Sequence, residues 1–307
     1  VIRTLAQLVS EQQIDIIHSH GYKSDIIALI VAKLTNIKCV STPHGFGIDQ
    51  DFKLKAYIGV GIQCLKLFDK VVPLSLELLQ ILQPKNFKTG TLEYIANGVD
   101  LSEIEPLFIA KGVKQSTDKQ IIGYIGQLNP RKNVSHILNA FDVLWRTNHL
   151  LELYLVGDGE SRQQLELQAN ALTSGTNIHF IGFTDQRLTY LAKFDLFIMA
   201  SISEGIPRCM MEAMAMEVAV VAYNIRGVDQ LIDHNKTGVL ATLNDVESLT
   251  DACNAVLSSS TLRLSIATQG RQKIINEFSA KAMANQYAKL FKNLLTPSPK
   301  EPNKCVE

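Results

Sequence analysis

The stretch Ser201-Ile-Ser-Glu-Gly-Ile-Pro-Arg-Cys-Met-Met-Glu212 separates an apolar strand pattern from an apolar helical pattern. Gly205 and Pro207 mark a turn, and proline suits the first turn of a helix because no backbone N–H donor is needed there. Free N–H groups and the positive dipole end at a helix start favour a bound anion. Glu204 precedes this helix and Glu212 lies inside it, so both carboxylates can flank the anion. A sugar nucleotide, anionic at its centre and rich in hydroxyls at both ends, fits this arrangement.

Strand patterns alternate with helical patterns along the whole chain. In the first third, strands are predicted at 14–18, 38–42, 70–75 and 93–96. After a polar stretch at 103–119, the alternation restarts with strands near 121–125, 153–156, 178–181, 196–199 and 218–222. Strands that alternate with helices form parallel sheets with right-handed crossovers. The sequence therefore predicts an α/β fold of two Rossmann-like, doubly wound domains that face each other across a cleft.

The polar stretch predicts the linker between these domains. Its position gives limits of 1–118 for a first domain with its linker and 119–307 for a second domain. The amphipathic helix at 280–295 is expected to pack back toward the first domain. The chain starts at Val1 within a helical pattern, so we expect the first domain to be incomplete at its N-terminus.

The composition excludes several classes of protein. Lys+Arg and Asp+Glu balance at 30 each, so the net charge gives no basis for binding nucleic acid. The five cysteines are scattered and form no CxxC pair, which favours a reduced cytosolic protein without a zinc site. No apolar run reaches the ~18 residues of a membrane span. A length of 307 residues exceeds the usual size of a single core, which favours two domains.

Three further loops that follow strands carry residues of chemical interest. Gly126 and the adjacent cations Arg131 and Lys132 stand between a strand and a helix. This is typical of a diphosphate clamp, although such cations are often only solvated. The turn Gly157-Asp-Gly-Glu160 is expected to need its glycines for backbone geometry. His44 follows a predicted strand, and ligands bind beyond the carboxyl ends of strands in open sheets, so we expect it to point into the cleft.

Other motifs are absent from the sequence. Without a Walker phosphate loop or a GxGxxG fingerprint, ATPase and dehydrogenase functions are disfavoured. No Asp-x-Asp triplet follows a strand, which argues against a metal ion chelated with a nucleotide diphosphate. His18 and His20 have no third ligand at a usable spacing, so no metal site is predicted. For the paired glutamates, the alternative is that Glu212 only complements the helix dipole while Glu204 is solvated.

Glu204 and Glu212, with the Ala-Met-Ala that follows Glu212, resemble the E-x7-E signature of retaining glycosyltransferases of family four. Enzymes of that family have the GT-B fold. Further stretches resemble other motifs of that family in the same order, at 18–22, 42–46, 96–100, 126–133, 156–160 and 178–183. The resemblance covers nearly the whole chain. It implies transfer of a sugar, with retention of anomeric configuration, from a nucleotide-diphosphate sugar to a polysaccharide or lipid-linked glycan precursor. The missing Asp-x-Asp triplet and the two adjacent cations, Arg131 and Lys132, lead us to expect that no metal cofactor is required.

The same resemblance implies a catalytic set of three residues, Glu204, His44 and Lys132. Glu204 would bind the transferred sugar, and His44 would line the acceptor side of the cleft near the reacting carbon. Lys132, helped by Arg131, would neutralise the diphosphate leaving group. The family commonly has arginine where Gln127 stands, so Arg131 is expected to take over that charge contact.

The resemblance further implies a set of donor-binding residues. Glu212 would hold the ribose hydroxyls, residues 181–183 would contact the base, and the N–H groups of Gly205 and Ile206 would bind the phosphate next to the sugar. The full expected set is Glu212, Arg131, Gly126, Gly205, Ile206, Pro207, Gly182 and Phe183. Two alternatives stay open: a nucleotide-sugar epimerase of the same fold, and a non-catalytic or truncated nucleotide-sugar binder.

The segment 52–68 mixes lysines with apolar residues and could contact an anionic membrane surface. A packed helix with a solvated lysine edge is the favoured interpretation. We therefore expect a cytoplasmic protein that is at most peripherally associated with the inner face of the membrane. Its expected partners are a nucleotide sugar and a glycan or lipid-linked acceptor.

Metal independence is directly testable. Sugar transfer by the full-length protein should continue at the same rate in EDTA, because two cations are offered in place of a chelated metal ion. Product formation with and without EDTA measures this. A strict requirement for added Mn²⁺ or Mg²⁺ would contradict the expectation.

Overall fold

The structure is a computed structural model that describes residues 1–43, 59, 61–111 and 119–296. The chain divides into two compact units, one of Val1–Ala96 with Met283–Glu307 and the other of Asn97–Ala282. These units differ from the domains expected at 1–118 and 119–307, and those limits stay a prediction.

The described residues of the first unit form a parallel sheet of three short strands in the order β1-β2-β3. Its register pairs Ile16 with Lys38 and Val40 with Lys70. In chain order the elements are α1 (Ile2–Glu11), β1 (Ile16–Ser19), α2 (Tyr22–Thr35), β2 (Lys38–Ser41), β3 (Lys70–Val71) and α3 (Leu76–Leu82), with a 3₁₀ turn at Gln83–Lys85.

The second unit is built on a parallel sheet of six described strands in the order β6-β5-β4-β7-β8-β9. Its first elements are α4 (Glu105–Lys111), β4 (Gln120–Ile125), α5 (Val134–Thr147), β5 (Leu151–Val156), α6 (Arg162–Ala171), β6 (Ile178–Gly182) and α7 (Arg187–Leu191). They are followed by β7 (Leu196–Met199), α8 (Arg208–Ala215), β8 (Ala219–Tyr223), β9 (Val239–Ala241), α9 (Val246–Ser258) and α10 (Ser260–Glu277). The last helix, α11 (Ala280–Leu295), begins in the second unit, and from Met283 onward it belongs to the first unit. The chain winds outward from β4 in one direction and from β7 in the other. This is the strand order of doubly wound Rossmann folds, so the predicted fold class is confirmed.

The sheet of the first unit is covered on both faces. Successive side chains of β2 point to opposite faces of the sheet, and on each face they pack into a cluster of buried side chains. Cys39 packs with Ala28 of α2 and with Val71 in one cluster of buried side chains. Val40 packs with Leu290 of α11 in another cluster. Helices on both faces of a parallel sheet are the arrangement that the α/β class requires.

The central strands of the second unit are buried along their whole length. All four residues of β7 and all five of β8 are shielded from solvent. Parallel strands with both faces covered appear in a sequence as continuous apolar runs. For this reason β7 was predicted at its observed limits.

One predicted strand was wrong, and one helix was not predicted. At 93–96 no strand forms, and the only pairing nearby is a single bridge between Leu92 and Val71. The polar stretch at 103–119 contains α4. That helix is held by tertiary contacts, since the ring of Phe108 lies 3.6 Å from the guanidinium carbon of Arg271 and Arg271 also pairs with Glu105 at 2.7 Å.

None of the helices in the described ranges has both the length and the hydropathy that crossing a bilayer requires. Of the segment 52–68, residues 52–58 and residue 60 lie outside the described part of the chain. Near the segment's end, Leu65 and Phe68 are buried in the core of the first unit. Their burial supports the interpretation of this end as a packed element.

A chain of polar contacts links β1 to α11 within the first unit. His18 Nε2 lies 2.8 Å from Thr42 Oγ1, which lies 2.8 Å from the hydroxyl of Tyr287. Burial, with a smaller contribution from nearby His20, lowers the pKa of His18 to about 4. The folded protein therefore keeps this imidazole neutral at a pH where the unfolded chain already takes up a proton.

The first unit should lose stability as the pH falls from 6.5 towards about 4, because the unfolded state binds a proton on His18 that the folded state excludes. Between pH 7 and pH 5 this loss should be on the order of 2 kcal/mol, and His18→Gln should remove it. Urea unfolding followed by circular dichroism measures the effect, with the exposed His149→Gln as the control. A His18→Gln protein that loses stability as steeply as the wild type would contradict the assignment.

Candidate active site

The centre of the sheet in the second unit brings two loops together. The neighbouring strands β4 and β7 are parallel, so their carboxyl ends lie at the same edge. Because the chain leaves them towards opposite sides of the sheet, a crevice opens between the loops that follow. The loop at 126–133 follows β4, and the loop at 200–207 follows β7. Both carry residues that the sequence had already indicated.

The loop after β4 ends in a short 3₁₀ turn at Pro130–Lys132. The side chain of Asn129 caps this turn by accepting a hydrogen bond from the N–H of Lys132. The N–H of Ile202 donates to the carbonyl of Arg131 at 3.0 Å, which ties the turn to the loop after β7. The two cations are therefore held in place by backbone contacts.

Glu204 lies between those two cations. Lys132 Nζ donates to Glu204 Oε1 at 2.6 Å, and Arg131 Nη1 lies 3.2 Å from Oε2. Lys132 and Glu204 are each only 9% exposed, so the alternative of a solvated Glu204 does not hold. A buried pair of this kind is costly to break, because the partner left behind is an uncompensated charge. Two cations against one carboxylate leave one excess positive charge, which favours a further anion.

The start of α8 adds hydrogen-bond donors beside this charge cluster. Pro207 directly precedes the first helical residue, and no side chain caps the helix. Among the residues that the structure describes, no acceptor takes the N–H groups of Gly205 and Ile206. Both N–H groups lie in the two residues before the N-cap Pro207, where the positive dipole end of α8 also favours an anion. Together with the two cations they form a set of donors that suits a diphosphate.

The path of this loop depends on Gly227, which no sequence motif had marked. Gly227 has a φ of 89°, and a Cβ at this position would lie 1.5 Å from the carbonyl oxygen of Gly205 and 2.8 Å from that of Glu204. Only glycine permits both this conformation and this close approach. The loop after β8 thus supports the peptide that carries the first glutamate.

The second glutamate is buried and held by two arginines. Glu212 is 2% exposed. Arg187 donates to both of its oxygens, from Nη2 to Oε1 at 2.8 Å and from Nε to Oε2 at 3.2 Å. Arg208, one helical turn earlier, donates from Nε to Oε1 at 2.9 Å. Oε2 of Glu103 completes the cluster, 3.6 Å from Arg187 and 4.0 Å from Arg208. Neither arginine had been given a role from the sequence.

The predicted glycines of the neighbouring loops serve backbone geometry. The N–H of Gly126 donates to the carbonyl of Val156 at 3.0 Å. Gly157 has a φ of 139°, and a Cβ there would lie 1.9 Å from the carbonyl oxygen of Gly126. The backbone role expected for the turn at 157–160 is therefore confirmed.

The predicted base-contact loop follows β6. Gly182 ends the strand with a φ of 82°, and the side chain of Phe183 is 80% exposed. An aromatic ring that remains in solvent is available to stack on a planar ligand. His44, the third residue of the expected catalytic set, lies outside the described residues. Within the described ranges no three His, Cys, Asp or Glu side chains are grouped to hold a metal ion.

Sequence comparison supplies the family. The family model for glycosyl transferases group 1 matches residues 108–273, more than half of the chain, including both loops of the charge cluster. The chain belongs to the group 1 glycosyl transferases. A second model, Glycosyltransferase Family 4, matches residues 1–103. The family resemblance inferred from the motifs is therefore confirmed.

Individual relatives are distant in sequence, and a solved structure is similar in fold. The UDP-Gal:alpha-D-GlcNAc-diphosphoundecaprenol alpha-1,3-galactosyltransferase of Escherichia coli is 25% identical over 289 residues, which cover 90% of this chain and 74% of that protein. The N-acetyl-alpha-D-glucosaminyl L-malate synthase of Bacillus anthracis is 25% identical over 306 residues, which cover 95% and 78%. The crystal structure of Anabaena HepE in complex with UDP matches with a TM-score of 0.80 at 20% identity, covering 95% of this chain and 82% of that chain. The predicted GT-B fold is thus confirmed.

Glu204→Gln should destabilise the second unit, because Lys132 would stay buried without a carboxylate partner. A loss of about 3 kcal/mol is expected for an uncompensated buried charge. Inorganic pyrophosphate should return more stability to this variant than to the wild type, since the added anion replaces the missing charge. Urea unfolding with and without pyrophosphate measures both effects.

The control for this experiment is Glu166→Gln, which removes one of the two acidic partners of Arg162 at the surface. An exposed pair contributes less than about 1 kcal/mol, so this variant should behave like the wild type. A Glu204→Gln protein as stable as the control variant would show that the buried pair does not support the site.

Proposed function

We propose that this protein is a retaining glycosyltransferase that moves a sugar from a nucleoside diphosphate sugar to a hydroxyl-bearing acceptor without a metal ion. One observation carries the proposal: two cations, one carboxylate and two unpaired N–H groups meet between β4 and β7. Such a set has a net positive charge where water is partly excluded, and it is complementary to a diphosphate. Membership of the group 1 glycosyl transferases supports the same class of reaction.

The reaction breaks the bond between the anomeric carbon and the diphosphate oxygen, and it forms a bond between that carbon and the acceptor oxygen. Negative charge develops on the departing diphosphate. Lys132 and Arg131 would neutralise this charge, while the N–H groups of Gly205 and Ile206 hydrogen-bond the phosphate next to the sugar. These donors stand in place before the ligand arrives, so stabilising the leaving group requires little reorganisation.

Retention follows from a route in which the acceptor attacks the same face that the diphosphate leaves. Both oxygens of Glu204 are held by Lys132 and Arg131, which disfavours this carboxylate as a covalent nucleophile. We therefore favour transfer of the acceptor's proton to the departing phosphate oxygen. Glu204 would orient the sugar hydroxyls, and His44 would line the acceptor side.

The nucleoside end of the donor would lie against Glu212 and the loop after β6. Glu212 would accept hydrogen bonds from the ribose hydroxyls, and Phe183 would contact the base. The name of the Escherichia coli relative specifies UDP-Gal, and the Anabaena HepE crystal contains UDP. Both support a uridine nucleotide as the donor to test first.

The proposed acceptor is a glycan or a lipid-linked glycan precursor. The Escherichia coli relative is named for a diphosphoundecaprenol-linked sugar, whereas the Bacillus anthracis relative is named for L-malate. The names of these two relatives therefore specify different acceptors. We also propose a cytoplasmic location, with at most peripheral association at the inner face of the membrane.

The test combines binding with chemistry. Thermal stabilisation by a panel of UDP-, GDP- and ADP-sugars identifies the donor. NMR spectroscopy then follows release of the nucleoside diphosphate and the configuration of the freed sugar. We expect slow release with the configuration retained. Release with inversion would overturn retention, and an altered donor without release would indicate an epimerase. Stabilisation without any reaction would indicate a non-catalytic binder.

Lys132→Ala should weaken binding of UDP about tenfold more than binding of uridine, because a charge-assisted hydrogen bond to the diphosphate contributes about 1.5 kcal/mol or more. Isothermal titration calorimetry with both ligands measures this difference. Lys119→Ala is the control, since Lys119 pairs with Glu152 at 2.5 Å but its side chain is 59% exposed. Equal losses for UDP and uridine would place Lys132 away from the diphosphate.

A further inference from the structure

The chemistry proposed above leaves the two arginines at Glu212 without a role. Arg187 stands at the start of α7, behind the loop that follows β6, and Arg208 is the first residue of α8. Their side chains meet at one buried carboxylate and balance it together with Glu103. The cluster therefore joins the loop expected at the base to the helix expected at the ribose.

The hydrogen bonds fix the orientation of the carboxylate. A carboxylate has about four acceptor positions, and the arginines occupy three of those on Glu212. Arg187 binds both oxygens, at 2.8 and 3.2 Å, and Arg208 binds Oε1 alone at 2.9 Å. A guanidinium fork on both oxygens hinders rotation of the carboxylate plane. One position on Oε2 is left, and its direction is set before a ligand arrives.

Burial makes Glu212 depend on this support. The side chain of Glu212 is 3% exposed, against 30% for Arg187 and 59% for Arg208. A carboxylate removed from water needs ionic partners to remain charged at low cost. Because Arg187 is the less exposed guanidinium and contacts both oxygens, it has the larger share in holding the carboxylate.

We propose that Arg187 is a positioning residue for ribose recognition. It orients Glu212 so that the open acceptor position meets a ribose hydroxyl, and it thereby gives the site its preference for ribonucleotides over 2′-deoxyribonucleotides. The inference rests on the proposed function, in which Glu212 binds the ribose. A site built to hydrogen-bond a hydroxyl rejects an analogue that lacks it, because the site's polar group is then left unpaired.

The experiment measures dissociation constants of UDP and 2′-deoxy-UDP by calorimetry. The wild type should prefer UDP by about tenfold or more, the effect of one hydrogen bond to a charged group. Arg187→Met should reduce this preference to about twofold or less. Arg187→Lys should restore only part of it, since an ammonium is a point charge and cannot hold both oxygens. Arg208→Met should have a smaller effect than Arg187→Met.

Arg146→Met is the matched control. Arg146 also supports a buried carboxylate one helical turn away, with Nη2 at 2.6 Å from Oδ2 of Asp142 and side-chain exposures of 62% and 5%. Removing Arg146 therefore has a structural cost similar to that of removing Arg187, because each change takes an arginine away from a buried carboxylate in the second unit. The preference for UDP over 2′-deoxy-UDP should be unchanged in this variant.

The outcomes separate this inference from the proposed function. An Arg187→Met variant that binds UDP and keeps the full preference for UDP over 2′-deoxy-UDP overturns the inference. A wild-type protein that binds UDP without any such preference overturns it as well. In both cases the proposed transfer reaction still stands. A wild type that binds no nucleoside diphosphate overturns the proposed function and the inference with it. If Arg187→Met does not fold, a full preference in both Arg187→Lys and Arg208→Met overturns the inference.

Discussion

The buried ion pair between Lys132 and Glu204 is the interaction on which the site depends. It connects the loops after β4 and β7, which are neighbours only because the sheet is doubly wound. Each partner has left water and is stabilised by the other, so neither can be removed alone without leaving a buried charge. Arg131 adds a second cation, and the cluster then lacks one negative charge. Topology and electrostatics thus favour the same kind of ligand, an anion at the switch point of the sheet.

Local sequence patterns were sufficient for much of the fold. The strand β7 and the helix α11 form at the predicted limits, because burial on both faces or along one stripe leaves a clear apolar pattern. The prediction of a strand at 93–96 was wrong, since a short apolar run does not specify whether it pairs with a neighbouring strand. The helix α4 escaped prediction because its support comes from Arg271, which is distant in sequence.

The candidate site was predictable where chemistry follows a motif. Glu204, Glu212 and Lys132 were identified by spacing and by their positions after strands, and the structure adds their partners. Arg208 could have been identified, since a residue four positions before Glu212 in a helix shares its face. Arg187 could not, because only the folded sheet brings α7 beside α8. The roles of Glu204, Glu212, Lys132 and His44 in binding and catalysis stay predictions, as do the domain limits and the absence of a metal.

The position of the diphosphate can be measured in a crystal structure of the protein with UDP. The diphosphate should lie within hydrogen-bond distance of Lys132 Nζ and of the N–H groups of Gly205 and Ile206, with the ribose at Glu212. A nucleotide bound away from the crevice between β4 and β7 would contradict the proposed donor site. So would a diphosphate that makes no contact with Lys132.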